Sequence, residues 1–524
     1  MSRASNWNNI PSRIPSRRND SMKRNAIRAL ALAMTAALAA PAAQATNGYF
    51  KIGYGTKNRG LAGAGVALGT DALAPGVNPA TLTQVGNRID FGIELFNPRR
   101  DARLDAGGLD VSAATGGAVP NLFPNAQRDS GVVKSGATLF AIPNAGFSFN
   151  MGNMTVGLSV LANGGMNTRY NSNIFSSSLG RSIGCTDTLA LCGGVTSGFA
   201  GMIDANTPGG VGNANVGVPD AILTGLYTNP NTGTLGVNLS QVILAPTVAM
   251  EVADGHSIGV SLLVAAQRFR AYGLGLFQAL STDPGNVTNQ GDDEAYGAGI
   301  RIGWTGRLTD SLSVGLVAAS KIYMQEFDQY KGLFANQGDF DVPANFAIGL
   351  ALKVSPRTTL ALDVQRILYS GVDSIHNPGP TADEFFTALT SVLTTGSYSG
   401  PGALGSDNGW GFGWDDITVV KLGIEHVYND HWTFRGGINV GGNPIDNDQN
   451  LFNILAPGVV RKHLTLGFTY SPDDYSEVSV SYMHAFREDQ TFTYQGTGSN
   501  AAFSFDAGIG MDQNALEVSY GMKF

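Results

Sequence analysis

The chain closes on Ala515-Leu516-Glu517-Val518-Ser519-Tyr520-Gly521-Met522-Lys523-Phe524. Leu516, Val518, Tyr520, Met522 and Phe524 share one parity, and Ala515, Glu517, Ser519, Gly521 and Lys523 share the other. Successive side chains of a strand point to opposite faces, so this stretch is a strand with one apolar face. A soluble sandwich contains such strands too. The fold is therefore decided by how many similar segments the chain holds and by whether it leaves the cytoplasm.

Charged residues make up 14% of the 524, well below the roughly 25% of soluble domains. The 69 glycines are about double the average share. Both values argue against an ordinary charged globular surface. The only extended apolar run lies near the start: Met22-Lys23-Arg24-Asn25-Ala26-Ile27-Arg28 precedes an apolar stretch from Ala29 to Ala40, then Ala43-Gln44-Ala45. A positive segment, a short apolar segment and a small-residue cleavage site read as a secretory signal peptide cut after Ala45, not as a membrane-spanning helix. Residues 1–21 precede a methionine that would itself begin a well-formed signal and are read as a non-native extension. The net charge of -8, with no basic stripe outside the signal, excludes nucleic acid as a partner. In an exported chain Cys185 and Cys192 read as a disulfide closing a loop, worth about 2.5 kcal/mol on loop entropy. A metal pair is the weaker reading, because no histidine lies nearby to complete it.

The alternation of the last ten residues recurs along the whole mature chain. Leu464, Leu466, Phe468 and Tyr470 oppose Thr465, Gly467 and Thr469, and Val478, Val480 and Tyr482 oppose Ser479 and Ser481, with Ser471-Pro472-Asp473-Asp474 as the turn between them. Similar hairpins are expected at 136–150 with 154–163, 242–252 with 257–270, 294–308 with 312–323, 342–354 with 358–369, and 417–428 with 432–441. A first strand near 88–97 and the terminal strand bring the total to about fourteen, even as in single-chain bacterial barrels. Long Gly/Asn/Ser-rich connections at 98–135, 164–241, 271–293, 324–341, 370–416, 442–460 and 488–512 alternate with tight turns. That asymmetry is the mark of an all-β outer-membrane barrel, and closure removes sheet edges that lipid could not satisfy. The apolar parity then faces lipid and the terminal strand closes the barrel. Lumen-parity positions such as Thr465 and Ser479 are expected to tolerate arginine. The final Phe524 resembles the terminal aromatic that barrel-assembly machinery reads.

Residues 46–86 break the pattern. Gly60, Ala62, Gly63, Ala64, Gly65, Ala67 and Gly69 permit close packing in a confined lumen, and Asn78-Pro79-Ala80 supplies a defined turn, so the segment reads as a hatch ahead of a barrel at 87–524. A disordered tail would be more charged and less apolar. The opening "NGYFKIGYGTKNRGLAGAGVAL" with "NPATL", and later "WDDITVVKLGIEHVYNDHWTFRGGI" and "EVSVSYMHAF", resemble the FadL/TodX family of outer-membrane transporters for long-chain fatty acids and other hydrophobic compounds.

The resemblance implies a monomeric fourteen-stranded antiparallel barrel in a Gram-negative outer membrane, among lipid and lipopolysaccharide, carrying hydrophobic small molecules inward without energy input or cofactor. Ligand would pass from loops to a lumen pocket, a hatch including Asn47, Gly48, Phe50, Asn78, Pro79 and Ala80 would shift, and cargo would leave sideways at a kink in the third strand. Asn163-Gly164-Gly165 occupies that place, since glycines in a strand mark a bend; a strand that simply ends there reads the same. Long-chain fatty acids stand first as cargo, with aromatic or alkane hydrocarbons second.

A fatty acid needs a cation. Lys421, Arg435 and Arg301 have lumen parity. A turn at Asn429-Asp430-His431 places Glu425 opposite Arg435 and Lys421 opposite Asn439, so Arg435 is expected to be paired and Lys421 is the better ligand candidate. An open porin lacks a hatch, and an adhesin barrel differs in that feature alone. A lipid hydrolase needs a Ser/His pair with an orienting third group; no serine is recognisably paired with any of the six histidines, and the chain reads as a non-enzyme.

Overall fold

The computed structural model describes residues 47–108, 130–171, 174–175, 234–501 and 504–524. The signal segment and both cysteines lie outside the described residues.

Fourteen long strands run β1 Arg88–Gly108, β2 Phe140–Asn150, β3 Met154–Ala162, β4 Gly236–Ala253, β5 His256–Tyr272, β6 Asp293–Arg307, β7 Leu312–Ala319, β8 Ala344–Ser355, β9 Thr358–Leu368, β10 Ile417–Val427, β11 Trp432–Gly441, β12 Lys462–Tyr470, β13 Ser476–Gln495 and β14 Ser504–Lys523. Two-residue strands at Val133–Lys134 and Tyr323–Met324 add to the rim. Each long strand pairs with its chain neighbours, and β14 returns antiparallel to β1 from Arg88↔Lys523 upward, closing the barrel. With every wall strand paired on both sides, no continuous edge faces lipid.

The expected parity holds. Leu516, Val518 and Tyr520 on β14, Leu464 and Leu466 on β12, and Val420, Leu422 and Ile424 on β10 are exposed on the outer wall, whereas Glu517, Thr465 and Lys421 are buried inside. Aromatics gather near the short-turn end, with Trp432 and Tyr470 rings 4.8 Å apart beside Tyr428, Phe434 and Phe468. That is a girdle of the kind that marks a membrane interface.

Three details depart from the sequence reading. Residues 488–512 are not a long loop: β13 continues to Gln495 and β14 begins at Ser504. β1 likewise extends to Gly108, and β4 begins at Gly236 rather than 242. Above the bilayer the apolar parity moves to the inner face, where Phe505, Ala507, Ile509 and Met511 of β14 are buried, while the outer face no longer meets lipid and carries Asp506, Gly508, Gly510 and Asp512. Finally, Thr465 is fully buried and its hydroxyl donates to the Gly60 carbonyl at 3.0 Å. The lumen at that height is filled, so arginine there would collide with the hatch.

Leu466, at 57% exposure, gives a clean test of the lipid face. Leu466→Arg is expected to destabilise the barrel in bilayers by about 2–4 kcal/mol, and Tyr475→Arg, in the short turn, by about 0–1 kcal/mol. Equilibrium unfolding from phospholipid vesicles checks both; equal costs would mean that this hairpin is misplaced in depth.

Candidate functional site

The hatch, residues 47–86, fills the lumen and is bound to the wall by charge and by close backbone contact. Its short helix Thr56–Gly60 is wholly buried. Arg59 donates through Nε to Glu517 at 2.7 Å and through Nη2 to Glu94 at 2.8 Å. Lys51 reaches Glu94 at 2.7 Å, and Lys57 meets Glu477, which also holds Arg88. Asp363 on β9 accepts the backbone N–H of Gly65 at 2.7 Å and of Val66 at 3.0 Å. The lumen-parity carboxylates Glu94, Glu477 and Glu517 thus receive the three cations of "KIGYGTKNR", a complementarity that the strand parity could have revealed.

Glycines on the inner wall bring the two backbones together. A Cβ on Gly259 would lie 2.5 Å from the Ala80 nitrogen, and one on Gly303 would overlap the Asn78 side chain. Asn78 explains the turn that contains it. Its Oδ1 accepts from Ala80 N at 3.0 Å while its Nδ2 donates to the carbonyls of Val66 at 2.7 Å and Trp304 at 3.1 Å. Pro79 begins the turn Pro79–Gln84, where its missing N–H costs nothing. Asn78, Pro79 and Ala80 therefore pin the hatch to β5, β6 and the hatch's own Val66.

Above the hatch an apolar chamber is built almost entirely from loops. Phe269 comes from β5, Phe277 from the turn Gly275–Leu280, Phe334 from the connection between β7 and β8, Trp410 and Phe412 from that before β10, and Phe452 from the short helix Asn450–Asn453. Phe269 and Phe334 rings stand 4.7 Å apart, Phe277 and Phe452 5.6 Å. Among the described residues no charged side chain lines the chamber, and Ser374 is the one hydroxyl-bearing side chain there. The cavity is about 40 Å³, so its aromatic walls already fill one another and must part to admit a guest. Sequence reasoning missed all of these residues because they converge from separate loops.

Tyr49 at the hatch tip packs on a floor one ring layer below the chamber: its ring lies 6.2 Å from Trp414 and 5.9 Å from Tyr369, and Trp414 stands 6.4 Å from the chamber residue Phe412. The Tyr369 hydroxyl donates to the Asn47 carbonyl at 2.5 Å. Gly48 stands beneath Tyr369 and Trp414 with φ of 65°, a left-handed conformation that any Cβ would strain as well as crowd. The same tip reaches the wall at the third strand. Phe50 bridges to Gly164, Lys51 N donates to the Asn163 carbonyl at 3.1 Å, and a Cβ on Gly164 would lie 2.5 Å from Tyr49 Cδ2.

At this point the wall is incomplete. β2 pairs β1 from Phe140 to Ser148, but pairs β3 only from Ala145 to Asn150. β3 continues with β4 to Ala162, after which the chain turns inward at Asn163-Gly164-Gly165 and then bridges β4 again at Asn167↔Asn238 and the residue before β4 at Tyr170↔Leu235. Among the described residues, 140–144 thus have a ladder partner on one side only, leaving a gap between β2 and the bent segment after β3.

The expected cations are otherwise engaged. Arg435 faces Glu425 in the ladder and binds it at 2.8 Å, with Thr469 at 2.7 Å. Lys421 does lie opposite Asn439, but across the other ladder it faces Asp363 and donates to Gln365 at 2.7 Å. Arg301 donates to the hatch carbonyl of Pro75 at 2.8 Å. All three are buried in the wall-to-hatch seam, and none lines the aromatic chamber.

Comparison with known proteins agrees with this architecture. Over 91% of this chain and 100% of the other, the fold resembles that of the Pseudomonas putida toluene transporter TodX, with a TM-score of 0.54 at 16% identity. A Pseudomonas aeruginosa FadL homologue gives 0.56 at 14% identity over 91% of this chain and 100% of that one. A long-chain fatty acid transport protein of Escherichia coli O6:H1 is 35% identical over 97 residues, which span 18% of this chain and 20% of that protein. The family described as outer membrane protein transport protein (OMPP1/FadL/TodX) matches residues 210–524. A hatch-filled fourteen-stranded barrel with this match over more than half its length belongs to the OMPP1/FadL/TodX family of Gram-negative outer-membrane proteins.

Proposed function

We propose that the chain is a passive outer-membrane channel for uptake of hydrophobic small molecules, with long-chain fatty acids as its cargo and neutral hydrocarbons as the second reading. The observation that carries the proposal is the position of Tyr49, which touches both the aromatic floor and the bent segment beside the wall gap. A guest that parts the chamber walls displaces the hatch tip, and the same displacement frees the path to the gap. An apolar molecule gains nothing from a water-filled pore, whereas an aromatic chamber leading sideways to lipid keeps it out of water throughout. The hydrocarbon reading draws support from the uncharged chamber lining.

Neither reading requires chemistry on the cargo. The proposal is tested by reconstituting the protein in liposomes and following entry of oleate, toluene and a charged sugar. Faster entry of either hydrophobic probe than into empty liposomes, without comparable entry of the sugar, supports the channel. Equal rates with and without protein for both hydrophobic probes overturn it.

A further inference from the structure

We propose that Arg100 is a carboxylate-binding residue at the wall gap, receiving the head group of an amphiphilic cargo as its chain passes outward; this deepens the function proposed above and rests on it. Arg100 lies on β1 with inward parity and is 3% exposed. Its Nη1 donates to the carbonyls of Ala137, at 3.2 Å, and Asn167. Ala137 precedes β2 and Asn167 follows the bend after β3, so one guanidinium joins the two sides of the gap. Its Nη2 is buried and has no hydrogen-bond partner among the described residues.

This sets Arg100 apart from the other buried arginines among the described residues. Arg59, Arg88 and Arg435 each hold a carboxylate, and Arg301 holds the Pro75 carbonyl. No described carboxylate forms an ion pair with Arg100. Phe96, Ala102, Phe140, Leu161 and Met166 belong to the buried apolar cluster around this part of the wall. A buried guanidinium with a vacant donor in apolar surroundings is costly unless an anion meets it, and a carboxylate is the group its planar geometry fits best. Fatty acids present that carboxylate on an alkyl chain that suits the neighbouring apolar wall. Neutral hydrocarbons would pass Arg100 without engaging it.

The test compares oleate with methyl oleate, which has the same chain and no charge. Full-length protein in lipid nanodiscs is titrated with each probe, alongside Arg100→Gln and Arg100→Lys, with heat-modifiable gel mobility confirming folded barrels. Arg100→Gln is expected to weaken oleate binding about tenfold or more and to leave methyl oleate unchanged, with Arg100→Lys in between. Carboxyl-labelled ¹³C-oleate supplies a direct readout: its bound resonance should titrate at lower pH on the native protein than on Arg100→Gln. Equal loss of both probes, or unchanged oleate binding and titration, overturns the proposal. Failure of both probes to enter liposomes through native protein would overturn the channel reading, while the binding ratio and resonance would still decide Arg100.

Discussion

Deletion of residues 46–86 is expected to leave a folded barrel whose single-channel conductance rises sharply above that of the intact chain. Closure depends on the β14 to β1 ladder and not on the hatch, so the wall retains its hydrogen bonds when the hatch is removed. Loss of Lys51, Lys57 and Arg59 deprives Glu94, Glu477 and Glu517 of hatch partners, but water then enters the lumen and hydrates them. The emptied pore should favour cations, because Glu94 and Glu517 are no longer neutralised, while Glu477 keeps Arg88 on the wall. Planar-bilayer recording of conductance and reversal potential checks both points. Unchanged conductance would mean that the hatch does not block the lumen.

Arg59→Ala is expected to loosen the hatch while the chain remains intact. The side chain is almost completely buried and joins Glu517 of β14 to Glu94 of β1. Removing one member of a buried ion pair leaves the other desolvated, at a cost of about 3–5 kcal/mol. Here the barrel can relieve that cost by releasing the hatch helix and admitting water. Glu94 retains Lys51, and Glu517 retains the Asn144 amide at 2.7 Å, so the seat weakens without disappearing. The expected record is intermittent opening to a conductance near that of the deletion, together with faster hydrogen exchange across residues 56–60. Arg59→Lys should open less often, because a single ammonium keeps the charge but cannot span two carboxylates as a guanidinium does. A closed Arg59→Ala channel with native exchange would show that the glycine-lined contacts alone hold the hatch.

Strand number, the lipid-facing parity and the register of the β10 to β11 hairpin were legible in the sequence. A strand crossing lipid must show an apolar face to one side, so Leu422, Ile424 and Ile438 announce their orientation wherever the bilayer lies. The turn at Asn429-Asp430-His431 sets Glu425 against Arg435 by counting alone, and the ladder has that pairing. The glycine-rich opening and the Asn78-Pro79-Ala80 turn also pointed to a packed segment, because only small residues permit backbone to lie against backbone in a closed lumen.

Tertiary structure alone decided the rest. β13 and β14 continue above the bilayer, where the outer face no longer meets lipid and the apolar residues lie inward, so the lipid-facing pattern on which the sequence reading depends stops short of the strand ends. The aromatic chamber joins Phe277, Phe334, Trp410 and Phe452 from separate loops, and no local period brings them together. Lumen parity made Lys421 a ligand candidate, but only packing shows that it faces Asp363 and Gln365 in the seam beside the hatch. The same parity applies to Arg100, whose distinction lies in what surrounds it: two carbonyls on opposite sides of the wall gap and no carboxylate partner among the described residues. Sequence period determines which way a side chain points; the partner it meets depends on segments far away in the chain, and that is settled only when the barrel closes around its hatch.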